Sequence, residues 1–259
     1  APYFQAAWKP PSKPAIQVFR ANQVDFSNNK ISHIGGLGIM AKFNSHLNIA
    51  NNHINDTGCG GIEAGETPAD FRISKSTNNT ISNNRIHDFG IIIPEGIAIL
   101  NKLSQGTTIS HNEIYNGPYT GIQNGWDWTD TNNLAQNNTI QYNHLYNLGN
   151  ALNDVGGIYS AGIQHGTVID HNLVHNIKHS PAQAVVQNII SGHVSTHVFS
   201  GIYLDNFSSG VTVSNNIVFD CDMGLMLNGN WRANKVKNNI FYTNNTTAWP
   251  IASISGGDK

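Results

Sequence analysis

The chain has 259 residues, 12% of them charged, and a formal net charge of −2. So little charge excludes a nucleic-acid surface built on phosphate neutralisation, and it disfavours an acidic tail or a polybasic membrane anchor. No run of about 18 apolar residues is available to span a membrane. Few Lys and Glu, set against 25 Gly and abundant Asn, argue for tight turns rather than helices.

Residues 1–15, with Trp8 and Pro10-Pro11, read as an N-terminal edge segment or linker. The chain opens on Ala1-Pro2 without an initiator Met, as a trimmed product or a section of a longer protein would. Residues 16–259 carry a repeat. Its mark is Asn-Asn-x-Ile or a close variant, as in Asn28-Asn29-Lys30-Ile31, Asn51-Asn52-His53-Ile54 and Asn83-Asn84-Arg85-Ile86. The second Asn recurs at 29, 52, 84, 112, 143, 172, 216 and 239, with a shortest spacing of 23 residues. A Gly-Ile pair follows in phase, from Gly38-Ile39 to Gly201-Ile202, and a Thr-Ile-Ser-like strand precedes each Asn pair. Three short strands per repeat, each alternating inward Ile with outward neighbours, predict an all-β fold: a right-handed, single-stranded parallel β-helix of about 8–9 coils. The Asn column is expected at the bend of each coil as a hydrogen-bonded ladder, and Ile stacks on Ile in the core. Larger spacings mark loops inserted near 126–136 and 178–197. Cys59 and Cys221 fall five coils apart, roughly 24 Å at about 4.8 Å per coil. That exceeds the ~7 Å reach of a disulfide, so both are expected as buried free thiols.

A β-helix enzyme works in a groove along an outer face. The outward column of the Gly-Ile strand reads Glu63, Gln123, Tyr159, Tyr203 and Met226; the next reads Gly65, Gly125, Ala161, Asp205 and Asn228. The small residues suggest a floor open to a ligand. Beyond it lie Glu66 and Trp126-Asp127-Trp128, where paired Trp would stack sugar rings, unless one Trp plugs a loop against the solenoid. Glu95 and Asp154 stand at turns entering the strand. Glycosidic cleavage uses two carboxyl groups, about 5–5.5 Å apart for retention and ~6.5–9.5 Å for inversion, within reach of acids one or two coils apart. The insertion at 178–197 carries His179, His193 and His197, but without clustered carboxylates no metal and no cofactor is expected.

Asn153-Asp154-Val155-Gly156-Gly157-Ile158-Tyr159 followed by Gly201-Ile202-Tyr203-Leu204-Asp205 resembles the pectate-lyase-like superfamily, in its branch of parallel β-helix glycoside hydrolases. Gly61-Ile62-Glu63-Ala64-Gly65-Glu66 and the Trp126–Trp128 run share in the resemblance, which covers roughly residues 20–245. It implies polysaccharide cleavage, with Asp154 and Asp205 as acid and base or nucleophile and Glu66 close by. Glu63, Trp126, Asp127, Trp128, Tyr159, Tyr203 and His165 are the expected substrate contacts. The expected partner is a polysaccharide or oligosaccharide, with neither nucleic acid nor membrane, and the expected location is secreted or periplasmic. A polysaccharide lyase with His165 as base, and a non-catalytic carbohydrate-binding solenoid, are the alternatives.

Overall fold

The computed structural model describes residues 13–72, 74–129, 135–178, 199–229, 232–242 and 252–255. The edge segment at 1–12, and the 178–197 insertion apart from Lys178, lie outside the described residues, and with them His179, His193 and His197.

The sequence period is a coil of parallel strands. Sheet 1 has nine strands, from Ile16–Phe19 through Ile39–Lys42, Ile62–Ala64, Ile99–Asn101, Ile122–Asn124, Val155–Ser160 and Phe199–Leu204 to Met223–Asn228 and Ala252–Ser255. Sheet 2 has eight, from Asp25–Ser27 to Lys235–Lys237, and sheet 3 has eight, from Lys30–Ile34 to Ile240–Tyr242. In each sheet the chain's successive strands pair in parallel, which is the predicted parallel β-helix.

Register explains why the Ile positions repeat. Ile39, Ile62, Ile99, Ile122, Ile158, Ile202 and Leu225 are partners in unbroken succession along sheet 1. All of them are in the main core, where Ile49, Ile81, Ile109 and Ile140 of sheet 2 meet Ile54, Ile86, Ile114 and Leu145 of sheet 3. A single coil could not bury these side chains; stacked coils bury them against the coils above and below.

The Asn pair divides its work. The first residue takes the left-handed backbone, at φ 62° for Asn28, 58° for Asn51 and 54° for Asn83. The second makes the ladder. Asn143 accepts from Asn112 N and Nδ2 at 3.0 and 2.9 Å, and its own Nδ2 donates to Asn172 Oδ1 at 3.0 Å and to Ile109 O at 3.0 Å. The same links run from Asn29 to Asn239. Where His111, Tyr142 and His171 replace the first Asn, they keep the left-handed backbone at 52–56° and stack their rings 5.0–5.1 Å apart. Stacking there offsets part of the strain of a bulky residue at positive φ.

The corner between sheets 2 and 3 never varies: two residues separate Ser27 from Lys30, Ser82 from Arg85 and Gln141 from His144. Every long connection borders sheet 1 instead. One, after Ala64, carries the one-turn helix Pro68–Phe71, capped by Thr67, whose hydroxyl accepts from Asp70 N. Another, after Asn124, is the predicted 126–136 loop, of which 130–134 lie outside the described residues. Cys59 and Cys221 are buried free thiols, as expected.

Candidate active site

Sheet 1 brings Asp154 and Asp205 into one network. Asp154 stands at the corner entering Val155–Ser160, with φ 61°, and Asp205 directly follows Phe199–Leu204 on the next coil. Their outward neighbours Tyr159 and Tyr203 are register partners with rings 4.9 Å apart at 67°. The hydrogen bonds cross between coils. Tyr159, from the coil of Asp154, donates to Asp205 Oδ2, while Tyr203, from the coil of Asp205, donates to Asp154. Asn228, one coil further on, donates to Asp205 Oδ1 at 2.7 Å and to Tyr203 Oη at 3.3 Å.

Burial, and then the charge of Asp205, push the Asp154 carboxyl up to about 6, against an opposing hydrogen bond from Tyr203. Burial, and then the negative charges of both acids, push the phenols of Tyr159 and Tyr203 upward as well. Tyr119, two residues before Gly121, is raised by burial and then by Asp154, Asp205 and Glu95. A separate small pocket is lined by Cys59, Glu63, Ile93, Glu95 and Leu100.

Several expected contacts lie elsewhere. Glu66 is fully buried four coils from Asp205, and its carboxylate accepts from Phe43 N at 2.6 Å, Ser76 N at 2.8 Å and Ser76 Oγ at 2.5 Å. It ties one inserted loop to the coil and takes no place beside the pair. Glu63 is buried on Lys102 Nζ at 2.7 Å, and Lys102 lies 5.4 Å from the Trp126 ring. Trp126 is only 2% exposed, packed with Phe71, Leu100, Leu103 and Ala135. It plugs a loop against the solenoid and offers no face for a sugar to stack on. The small-residue floor is covered too: a Cβ on Gly65 would meet Leu103 backbone at 2.8 Å, and one on Gly125 would meet Ala161 O at 2.2 Å. Asp127 caps its own turn, accepting from Thr129 N at 3.1 Å and Thr129 Oγ1 at 2.7 Å. His165 is exposed at the corner following Ala161, against Gly210, outside the hydrogen-bonded network of the pair.

Trp128 stays partly accessible. It packs partly buried against both the Trp126 cluster and the cluster of Tyr159, Ala161, Tyr203, Met223 and Met226, meeting Trp126 edge-on at 4.7 Å. Tyr119 and Asn228 are the residues that sequence reasoning assigned no role. Asn228 was visible in the outward column of Asp205; Tyr119 would have emerged had the residues before each Gly-Ile pair been read as a column with Glu95 and Asp154.

A solved structure titled "Glycoside hydrolase" superposes with a TM-score of 0.69 at 24% identity, over 90% of this chain and 38% of that one. The chain thus spans well under half the length of that protein. A second, titled as an alginate lyase from Paenibacillus sp. str. FPU-7, has a TM-score of 0.46 at 13% identity, over 90% of this chain and 76% of that one. No curated protein sequence matches. The family described as "Right handed beta helix region" matches residues 14–188, and with its parallel strands stacked coil on coil, this chain belongs to that family.

Proposed function

We propose that the chain is a carbohydrate-active enzyme that hydrolyses glycosidic bonds in a polysaccharide or oligosaccharide. Asp154 is the general acid and Asp205 the base or nucleophile. The crossed Tyr–Asp network carries this reading: it holds two carboxyl groups of adjacent coils together, while burial and the charge of Asp205 raise the Asp154 carboxyl. A glycosidase needs a carboxyl raised enough to donate its proton, beside a second carboxyl that attacks or accepts. Asp154 protonates the leaving oxygen as the bond to the anomeric carbon breaks. Asp205, its oxygens oriented by Tyr159 and Asn228, attacks that carbon or deprotonates the attacking water. The sugar chain lies across the face at the acid pair, with Trp128 alongside. A secreted or periplasmic location suits such a substrate.

A lyase must instead remove a proton next to a uronate, with a cation to neutralise it. The nearby phenols are pushed upward rather than readied as bases, and Lys102 is held on buried Glu63. Asp154→Asn and Asp205→Asn, each assayed for new reducing ends on a polysaccharide panel, should lose about 10²–10⁴-fold of the activity. Products carrying the ultraviolet absorbance of a conjugated double bond would replace hydrolysis with elimination, and full activity in both variants would remove the pair from catalysis.

A further inference from the structure

The acid pair sits in the most cation-poor part of the chain. From Leu103 to Trp231 the sequence has one Lys, Lys178, and no Arg, against eight Asp and Glu. The other thirteen Lys and Arg lie outside that stretch, which holds every member of the crossed network and the whole 178–197 insertion. Lys178 is committed elsewhere, with its Nζ on Asp220 Oδ1 at 2.5 Å. Lys102, just before the stretch, is buried on Glu63. Among the described residues, the charges that raise Asp154, Tyr119, Tyr159 and Tyr203 are those of Asp154, Asp205 and Glu95.

The hydrogen bonds lean the same way. The Tyr159 hydroxyl donates to Asp205 Oδ2 and the Tyr203 hydroxyl to Asp154. Asn228 Nδ2 donates to Asp205 Oδ1 at 2.7 Å and to Tyr203 Oη at 3.3 Å. Each donor of the network is thereby spent within it. What the network presents to a ligand is carboxylate and phenol oxygens, which accept. A sugar hydroxyl can donate to such oxygens and accept as well, whereas an ionised carboxylate only accepts. A substrate carboxylate would therefore meet acceptor with acceptor and charge with like charge. Asp205, Tyr159 and Tyr203 are buried, so water screens that repulsion poorly.

We infer, on the hydrolytic reading of this site, that the sugars flanking the bond cleaved between Asp154 and Asp205 carry no acidic group. The substrate class is a glycan without carboxylates or sulfates, and polyuronates are turned away. The selection works by rejection: an uncompensated charge disfavours the wrong ligand more than any contact favours the right one. Asp205, which attacks or accepts in the reaction, is the discriminating charge as well.

Matched ligands isolate that charge: an oligouronate, and the same oligosaccharide with its carboxyl groups reduced to primary alcohols, across several backbones and linkages. Binding to the full chain by calorimetry and the release of new reducing ends are measured at neutral pH, where the uronates are ionised. On any backbone that is engaged, the reduced member should bind and turn over at least about 10-fold better. In Asp205→Asn, whose side chain keeps an oxygen for Tyr159, the preference in binding should shrink several-fold, with the melting temperature verifying the fold. Equal or better engagement of the uronate member overturns the inference and leaves hydrolysis standing. A preference unchanged in Asp205→Asn overturns its assignment to the acid pair. Absence of cleavage with the binding preference intact supports the inference and removes the hydrolytic reading alone. Absence of binding to every glycan removes both.

Discussion

Tyr203 donates its phenolic hydrogen to Asp154 of the preceding coil, and this bond opposes the upward push that burial and Asp205 exert on that carboxyl. Removing it has a definite sign. In Tyr203→Phe the Asp154 carboxyl should rise further above about 6, and the alkaline limb of the activity profile should move to higher pH. A pH series of kcat/KM checks the shift. Stability follows the same group. Because the folded value lies above the ordinary 3.8, the contribution of Asp154 is fully present below that pH and is lost as pH rises through about 6. Relative to the parent, Asp154→Asn should therefore gain on the order of 1–3 kcal/mol between pH 4 and pH 8, measured by denaturant titration at each pH.

The two tryptophans should separate cleanly. Trp126 fills the space between the inserted loops and sheet 1, so Trp126→Ala should cost about 3–5 kcal/mol and lower the melting temperature. Trp128 packs against the cluster that contains the tyrosines holding the acids. Trp128→Ala should raise KM several-fold with a smaller change in melting temperature. Kinetics and thermal unfolding of both variants, side by side, measure the difference.

The Glu63–Lys102 pair is buried on both sides. Replacing one partner leaves the other charge stranded, so Glu63→Leu or Lys102→Met alone should destabilise by about 3–5 kcal/mol. The double replacement should recover most of that loss. Activity per folded molecule should be preserved, since Glu63 lies four coils from Asp205 along sheet 1. A double-mutant cycle by chemical denaturation supplies the numbers.

The fold was legible because its cause is periodic: one inward Ile per strand and one Asn per corner, repeated until chance is excluded. The acid pair was legible in part, since Asp154, Asp205, Tyr159 and Tyr203 share phase with the Gly-Ile strand. Glu63, Glu66 and Trp126 share that phase too, yet Glu63 is paired with Lys102, Glu66 ties a loop to the coil and Trp126 packs among inserted loops. Strand alternation fixes which way a side chain points, not what covers it. The loops after Ala64 and Asn124 fold back over the outer face and turn outward positions into a second small core. That packing depends on contacts between loops, which no period in the sequence announces.

The unvarying two-residue corner between sheets 2 and 3 separates two rates at which this architecture can change. That corner carries the Asn ladder, and an inserted residue there would throw every later rung out of step. The connections bordering sheet 1 vary in length, and all the long ones are found there. Variation is thereby steered to the loops around Asp154 and Asp205. One end of each coil keeps the stack in phase while the other is free to be rewritten for a new ligand.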